Sequence, residues 1–154
     1  MRPGKLRIGV ITQPPSGTPV QSECLEAIDE TVKLLEGLGH EMVETRHPVS
    51  GDELRETTGR IVRTKIFEAI EDMVEARGTP LTKDAVEAAT WVIHEAGGKT
   101  SGRDYASAID SMHKLGRQMG EFMLDYDVLL SPTLAEPPIK LGAFNPQTIE
   151  GRAL

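Results

Sequence analysis

Four histidines, one cysteine, a Gly-Gly-Lys-Thr run and a Ser-Pro-Thr step are the residues of this chain whose types could carry chemistry. His40, His47, His94 and His113 never stand four apart, and no His/Cys/Asp group has metal-ligand spacing, so a metal site is not expected. His40 follows a helix end, where a cation is favoured, and all four read as structural. Cys24 lies on an apolar stripe with Glu23 and Glu26 beside it, whereas a nucleophilic thiolate needs an electropositive setting and a base. It reads as core. Gly97-Gly98-Lys99-Thr100 echoes the end of a phosphate loop, but that loop needs a glycine where Ile93 stands and a strand before it. Gly97-Gly98 is therefore expected as a helix cap and turn. Gly9 and Gly17 belong to no G-x-G-x-x-G pattern, and the loop between them carries Pro14 and Pro15, which lack the N–H groups that would hold a phosphate. No cofactor is expected. Ser131-Pro132-Thr133 follows the last strand directly. In open α/β sheets sites gather at strand carboxyl ends, so these three are candidates for lining a pocket. A plain strand-to-loop turn explains them equally well.

The elements that would position these residues alternate. Leu6 to Ile11 is a short apolar run closed by Gln13-Pro14-Pro15-Ser16-Gly17 and reads as a buried strand. Thr18-Pro19-Val20-Gln21 has the form of a capped helix start. Val20, Cys24, Ile28, Val32, Leu35 and Leu38 then recur at helical spacing up to Gly39. Glu41 to Pro48 alternates as a second strand. Ser50 to Glu53 forms a capping box for a helix whose face is Leu54, Thr58, Ile61, Ile66, Ala69, Ile70 and Met73, closed by Gly78. Thr82 is the expected cap of a third helix with Leu81 and Val86 as its staple and Val86, Ala89, Ile93 and Ala96 as its stripe. Ser101 opens a fourth. Its stripe is Tyr105, Ala108, Ile109, Met112, Leu115, Met119, Phe122 and Met123. Val128 to Ser131 is the third strand. The expected class is α/β: a small parallel three-stranded sheet with about four helices. The chain is expected to form one domain, 1–154, with 132–154 as a Pro- and Gly-rich loop or tail.

A chain of 154 residues with 38% apolar and 27% charged residues has the composition of a soluble globular domain. Its formal net charge of −7 opposes nucleic acid and anionic membrane as partners, since both demand concentrated Lys/Arg. The single cysteine allows no internal disulfide and fits a reducing compartment. No apolar run approaches the roughly 20 residues of a membrane span. A cytoplasmic protein is expected.

The order of segments resembles the C-terminal portion of amidase-signature enzymes. Leu6 to Val10 (LRIGV) is similar to the strand that opens that portion, and Glu36 to Glu41 with Pro48 to the stretch that follows it. Tyr105-Ala106 matches a YxxA helix start. Tyr126 to Thr133 (YDVLLSPT), with Pro137-Pro138 and Leu141-Gly142, is the most specific part. The long helical middle and the SPTLAEPPIKLG ending look most like the branch of 6-aminohexanoate cyclic-dimer hydrolases and related bacterial amidases. The resemblance implies hydrolysis of amide bonds by a serine, a second serine and a lysine, with a Gly/Ser-rich stretch as oxyanion hole. The lysine motif and the serine stretch find no match here. Lys5, Lys33, Lys65, Lys83, Lys99, Lys114 and Lys140 lack the context, so no catalytic residue is carried over.

On that basis the chain is expected to be the scaffold part of an amide hydrolase. It would wall the substrate cleft near Ser131 to Pro138 and be inactive alone. Its partner would be the missing catalytic portion, and an exposed apolar patch could also drive homo-oligomers. The competing reading is a free-standing α/β module for a small ligand. Scaffolding through the fourth helix is disfavoured, because its outer face (Asp104, Asp110, Lys114, Arg117, Glu121) is charged.

Overall fold

A computed structural model describes residues 4–141. The chain divides into two compact units. The first takes the chain up to Leu54 together with His113–Ile139, and the second holds Arg55–Met112. The sequence reading treats 1–154 as one domain ending in a loop over 132–154. The described part of that loop, through Leu141, forms neither helix nor strand, and 142–154 lie outside the described residues.

The first unit is built on three parallel strands in the order β2-β1-β3, with β1 at Arg7–Val10, β2 at Glu41–Glu44 and β3 at Val128–Leu130. The α/β class and parallel sheet are thus as expected. β1 is the central strand, and its residues Ile8, Val10 and the following Ile11 are buried. A strand flanked on both edges and covered on both faces needs a continuous apolar run, which Ile8-Gly9-Val10-Ile11 supplies. Ile8 is in register with Met42 and Val128, and Val10 with Glu44 and Leu130. Asp127 closes the start of the β1–β3 ladder. Its N–H donates to the Arg7 carbonyl at 2.9 Å, and its carboxylate accepts from the Arg7 N–H at 2.7 Å. That pair of hydrogen bonds to one residue gives Asp127 a mechanical role.

Helix α1, Ser22–Gly37, joins β1 to β2. It ends in a Schellman arrangement: Gly39 has φ +92°, its N–H donates to the Glu36 carbonyl, and the His40 N–H donates to that of Leu35. Its start is a correction. The helix begins at Ser22, not Thr18, and Gln21 is the residue before it. Thr18 is spent in a local turn, its N–H and hydroxyl both bonded to Ser16 Oγ. The Gln21 N–H donates 2.8 Å to the Ala135 carbonyl, which holds 18–21 extended. The last turn is also less buried than its spacing suggests, with Leu38 exposed.

Helix α2, Gly51–Arg77, opens on Ser50, whose carbonyl accepts from the Leu54 N–H at 3.0 Å and whose hydroxyl accepts from that of Glu53 at 3.5 Å. The Glu53 carboxylate pairs with Lys114 at 3.0 Å. Helix α4, Gly102–Phe122, begins in the second unit and ends in the first, where Leu115 is buried. Every residue of its expected apolar stripe is at least half-buried, and every residue of its expected outer face is exposed.

In the second unit, α2 meets helix α3, Ala88–Gly98. A methyl on Gly97 would fall on the Arg63 carbonyl and 2.6 Å from Phe67 Cβ. Gly97 and Gly98 are therefore helical residues that let α2 approach, not the expected cap and turn, and Lys99 ends the helix. Most of the expected face of α2 is covered, with Ile70 buried and Leu54, Thr58, Ile61 and Ile66 half-buried. Thr57 is buried too, whereas Ala69 and Met73 are exposed. The expected third-helix start divides too: Lys83–Ala85 is a single 3-10 turn, and the α-helix starts only after Glu87. His94 Nε2 pairs with Glu71 at 2.8 Å, and the ring packs on Phe67 with centroids 4.9 Å apart.

Ser101 caps α4 reciprocally. Its hydroxyl donates to Asp104 Oδ2 at 2.6 Å and accepts from the Asp104 N–H at 3.1 Å. The hydroxyl and backbone bonds from Ser101 hold the Asp104 carboxyl below its usual 3.8. A Ser101→Ala change should cost about 0.5–2 kcal/mol near neutral pH. A lowered carboxyl adds stability above its unfolded value and loses it as pH falls through its folded one. The gap between parent and variant in urea melts should therefore narrow below pH 3.8.

A strand-end cavity as candidate functional site

The loops leaving the three strands converge. Beyond β1 come Ile11 and then Gln13-Pro14-Pro15. His47 follows β2, and Ser131 to Ala135 follow β3. Together with Val20 and Leu129 they enclose a cavity of about 280 Å³. All of these residues belong to the first unit. The site lies at the carboxyl ends of parallel strands, where the order β2-β1-β3 reverses direction in the sheet, the usual place for a ligand in an open α/β sheet.

Local sequence explains the geometry. The Ile11 N–H donates to the Leu130 carbonyl at 2.9 Å, so β1 and β3 stay paired to the edge of the cavity. Pro14 and Pro15 then prevent further pairing. The Gly17 N–H returns to the Pro14 carbonyl at 3.0 Å, and Gly17 itself takes a φ of +72°, a value that favours glycine. On the opposite wall, Ala135 is fixed by the Gln21 N–H. Gln21 Nε2 also reaches Glu136 at 3.4 Å.

The walls are mostly apolar. Their polar side chains are Gln13, His47, Ser131 and Thr133. Ser131, Pro132 and Thr133, the positions singled out in the sequence, sit together on one wall. His47 reads as structural in the sequence, and Gln13 as part of a loop. Their signal was position alone, since each follows a strand end as Ser131 does, but both precede or join proline-rich turns that read as bland. His47 is half-buried, and its Nδ1 accepts the Val49 N–H at 3.2 Å.

Among the described residues no hydrogen bond joins Ser131 or Thr133 to His47, and no carboxylate orients that ring, so no nucleophile–base pair is assembled. No group of three or more His, Cys, Asp or Glu among the described residues is placed to hold a metal. Cys24 is half-buried in α1, away from the cavity walls. No helix among the described residues is long and apolar enough to cross a membrane.

A family model described as Amidase matches residues 1–152. A lipoamidase of Enterococcus faecalis is 30% identical over 128 residues, which cover 83% of this chain and 18% of that protein. A 6-aminohexanoate-cyclic-dimer hydrolase of Paenarthrobacter ureafaciens is 29% identical over 143 residues, covering 91% of this chain and 29% of that one. The solved structure of a 6-aminohexanoate cyclic dimer hydrolase complexed with substrate superposes with a TM-score of 0.83 at 28% identity, covering 99% of this chain and 33% of the other. A bacterial aryl acylamidase of the amidase-signature family gives a TM-score of 0.75 at 17% identity over 88% of this chain and 28% of the other, a likeness of fold. The chain thus spans between 18% and 33% of the length of these relatives.

Proposed function

The chain belongs to the amidase family, and from that membership we propose that it serves amide hydrolysis by supplying scaffold and cleft wall to catalytic residues it does not itself contain. The observation that carries this reading is the strand-end cavity: apolar, set in the sheet, and without a nucleophile–base pair among its walls. Its size suits the aliphatic part of an amide. The 6-aminohexanoate-cyclic-dimer hydrolase and the lipoamidase among its relatives bear names of that kind, so a linear or cyclic aliphatic amide is the proposed substrate class. Ser131, Pro132 and Thr133 line the substrate side of the cleft in this reading. The partner is the portion of an amidase that carries the serines and lysine. Exposed Leu124, Leu134 and Ile139 offer apolar surface to that partner or to a second copy. The lone Cys24 favours a cytoplasmic setting.

The test is an assay of the purified chain alone against hexanamide and the cyclic dimer of 6-aminohexanoate, with released amine or ammonia as the readout. No turnover above the buffer blank is expected. Hydrolysis that persists through repeated purification, and disappears on replacing Ser131, would overturn the reading.

A further inference from the structure

We propose that His47 is the specificity-determining residue of this cavity, and that its neutral ring donates an Nε2–H hydrogen bond to the carbonyl oxygen of a short, uncharged aliphatic amide. The proposal rests on the reading that the cavity takes substrate. It deepens that reading by naming the group recognised and the atom that recognises it.

The argument starts from the proton. A backbone N–H has only a donor to offer, so the Val49 N–H at 3.2 Å requires a lone pair on His47 Nδ1. A neutral imidazole carries one hydrogen, and it must then lie on Nε2. Val49 is buried at 7% exposure, which anchors the amide that fixes the ring. Nε2 itself makes no hydrogen bond among the described residues. The ring is thus a donor of fixed tautomer on a wall shared with Ile11, Val20 and Leu129.

The other polar side chains of the cavity are different in kind. Gln13, Ser131 and Thr133 are exposed. They carry both donors and acceptors and rotate freely, so water competes for them and they discriminate weakly. Among the described residues His47 Nε2 is not a buried unpaired atom, so water can reach it in the free chain. As a donor of fixed orientation beside apolar walls it still discriminates, because a ligand without an acceptor displaces that water and leaves it unpaired. A carbonyl oxygen satisfies it. An alkylammonium, which has only donors, does not, and it would also be desolvated against apolar walls.

Titration of the 15N-labelled chain with hexanamide, and separately with hexylammonium, tests this. Long-range 1H–15N spectra first report the His47 tautomer in the unmodified protein, where a hydrogen on Nε2 is expected and one on Nδ1 overturns the proposal. Hexanamide should shift the amides of Ile11, Gln13, Leu129 and Ser131 and the His47 Nε2 signal, whereas hexylammonium should bind at least about tenfold more weakly. His47→Phe should weaken hexanamide about tenfold, and His47→Gln, which restores an N–H donor, should recover part of that loss. Cavity amides that respond equally in the parent and in a folded His47→Phe would overturn the role of His47 and leave the cavity reading standing. No response of the cavity amides to hexanamide would overturn both.

Discussion

Replacing Ile8 by alanine is expected to remove about 2–5 kcal/mol of stability, the range for large-to-small changes in a packed core. Ile8 is 3% exposed in the central strand and stands in register between Met42 and Val128. Truncation there deletes apolar contacts at the middle of the sheet, and neither neighbouring strand can close the gap without losing its ladder to β1. A domain of this size holds about 5–15 kcal/mol in total, so the loss would be a large part of it. Val128→Ala is the comparison. Its parent residue lies in the same register on an edge strand but is 44% exposed, and its change should cost less than about 1 kcal/mol. Guanidinium unfolding followed by far-UV circular dichroism reads both. Equal losses at the two positions would mean that β1 is not the centre of the core.

The legibility of this fold in its sequence follows where local and tertiary forces agree. β1 and β3 were readable because each is a short apolar run bounded by Pro or Asp, and β2 because it alternates. Helix α4 was readable throughout because a single stripe serves it along its length. The Schellman end at Gly39 was readable because the bonds involved are local. Two of the misreadings involve distant partners. Thr18 loses its capping role because the Gln21 N–H finds Ala135, more than a hundred positions away. Gly97-Gly98 looked like a stop signal, yet Phe67 and the Arg63 carbonyl fill the space their side chains would need.

The candidate site shows the same division. Ser131 to Thr133 could be picked out because they follow a strand end directly. His47 could not. A histidine becomes a directed donor only when a particular amide occupies its other nitrogen, and Val49 supplies that bond through the bend at Pro48-Val49, which in the sequence reads only as the end of a strand. Apolar character at Ile11, Val20 and Leu129 reads equally as core or as cavity wall until the loops are placed. The family resemblance reached the fold correctly because its motifs coincide with mechanical features. YDVLL contains the Asp127 bonds to Arg7 and the β3 register, and LRIGV is the buried central strand.

Gly51→Val should be the most damaging change near the cavity, because it acts on backbone rather than on a side chain that can turn aside. A Cβ at Gly51 would fall on the Pro15 carbonyl and 2.6 Å from the Ser16 nitrogen. Neither atom belongs to a rotamer. Either the start of α2 or the 13–16 loop must therefore move, at a cost of about 1–3 kcal/mol or more. That loop supplies Gln13, Pro14 and Pro15 to the cavity, so the variant should lose the hexanamide response of the Gln13 amide even where it remains folded. Gly37 is the control. It lies in the last turn of α1, and nothing stands within 4 Å of the Cβ it would acquire. Gly37→Ala should therefore stabilise by about 0.5–1 kcal/mol through helix propensity alone and leave the cavity untouched. A Gly51→Val protein with a parental denaturation midpoint and an unchanged hexanamide response would show that the 13–16 loop is not braced by the start of α2. The positions of Pro14 and Pro15 on the cavity wall would then need another support.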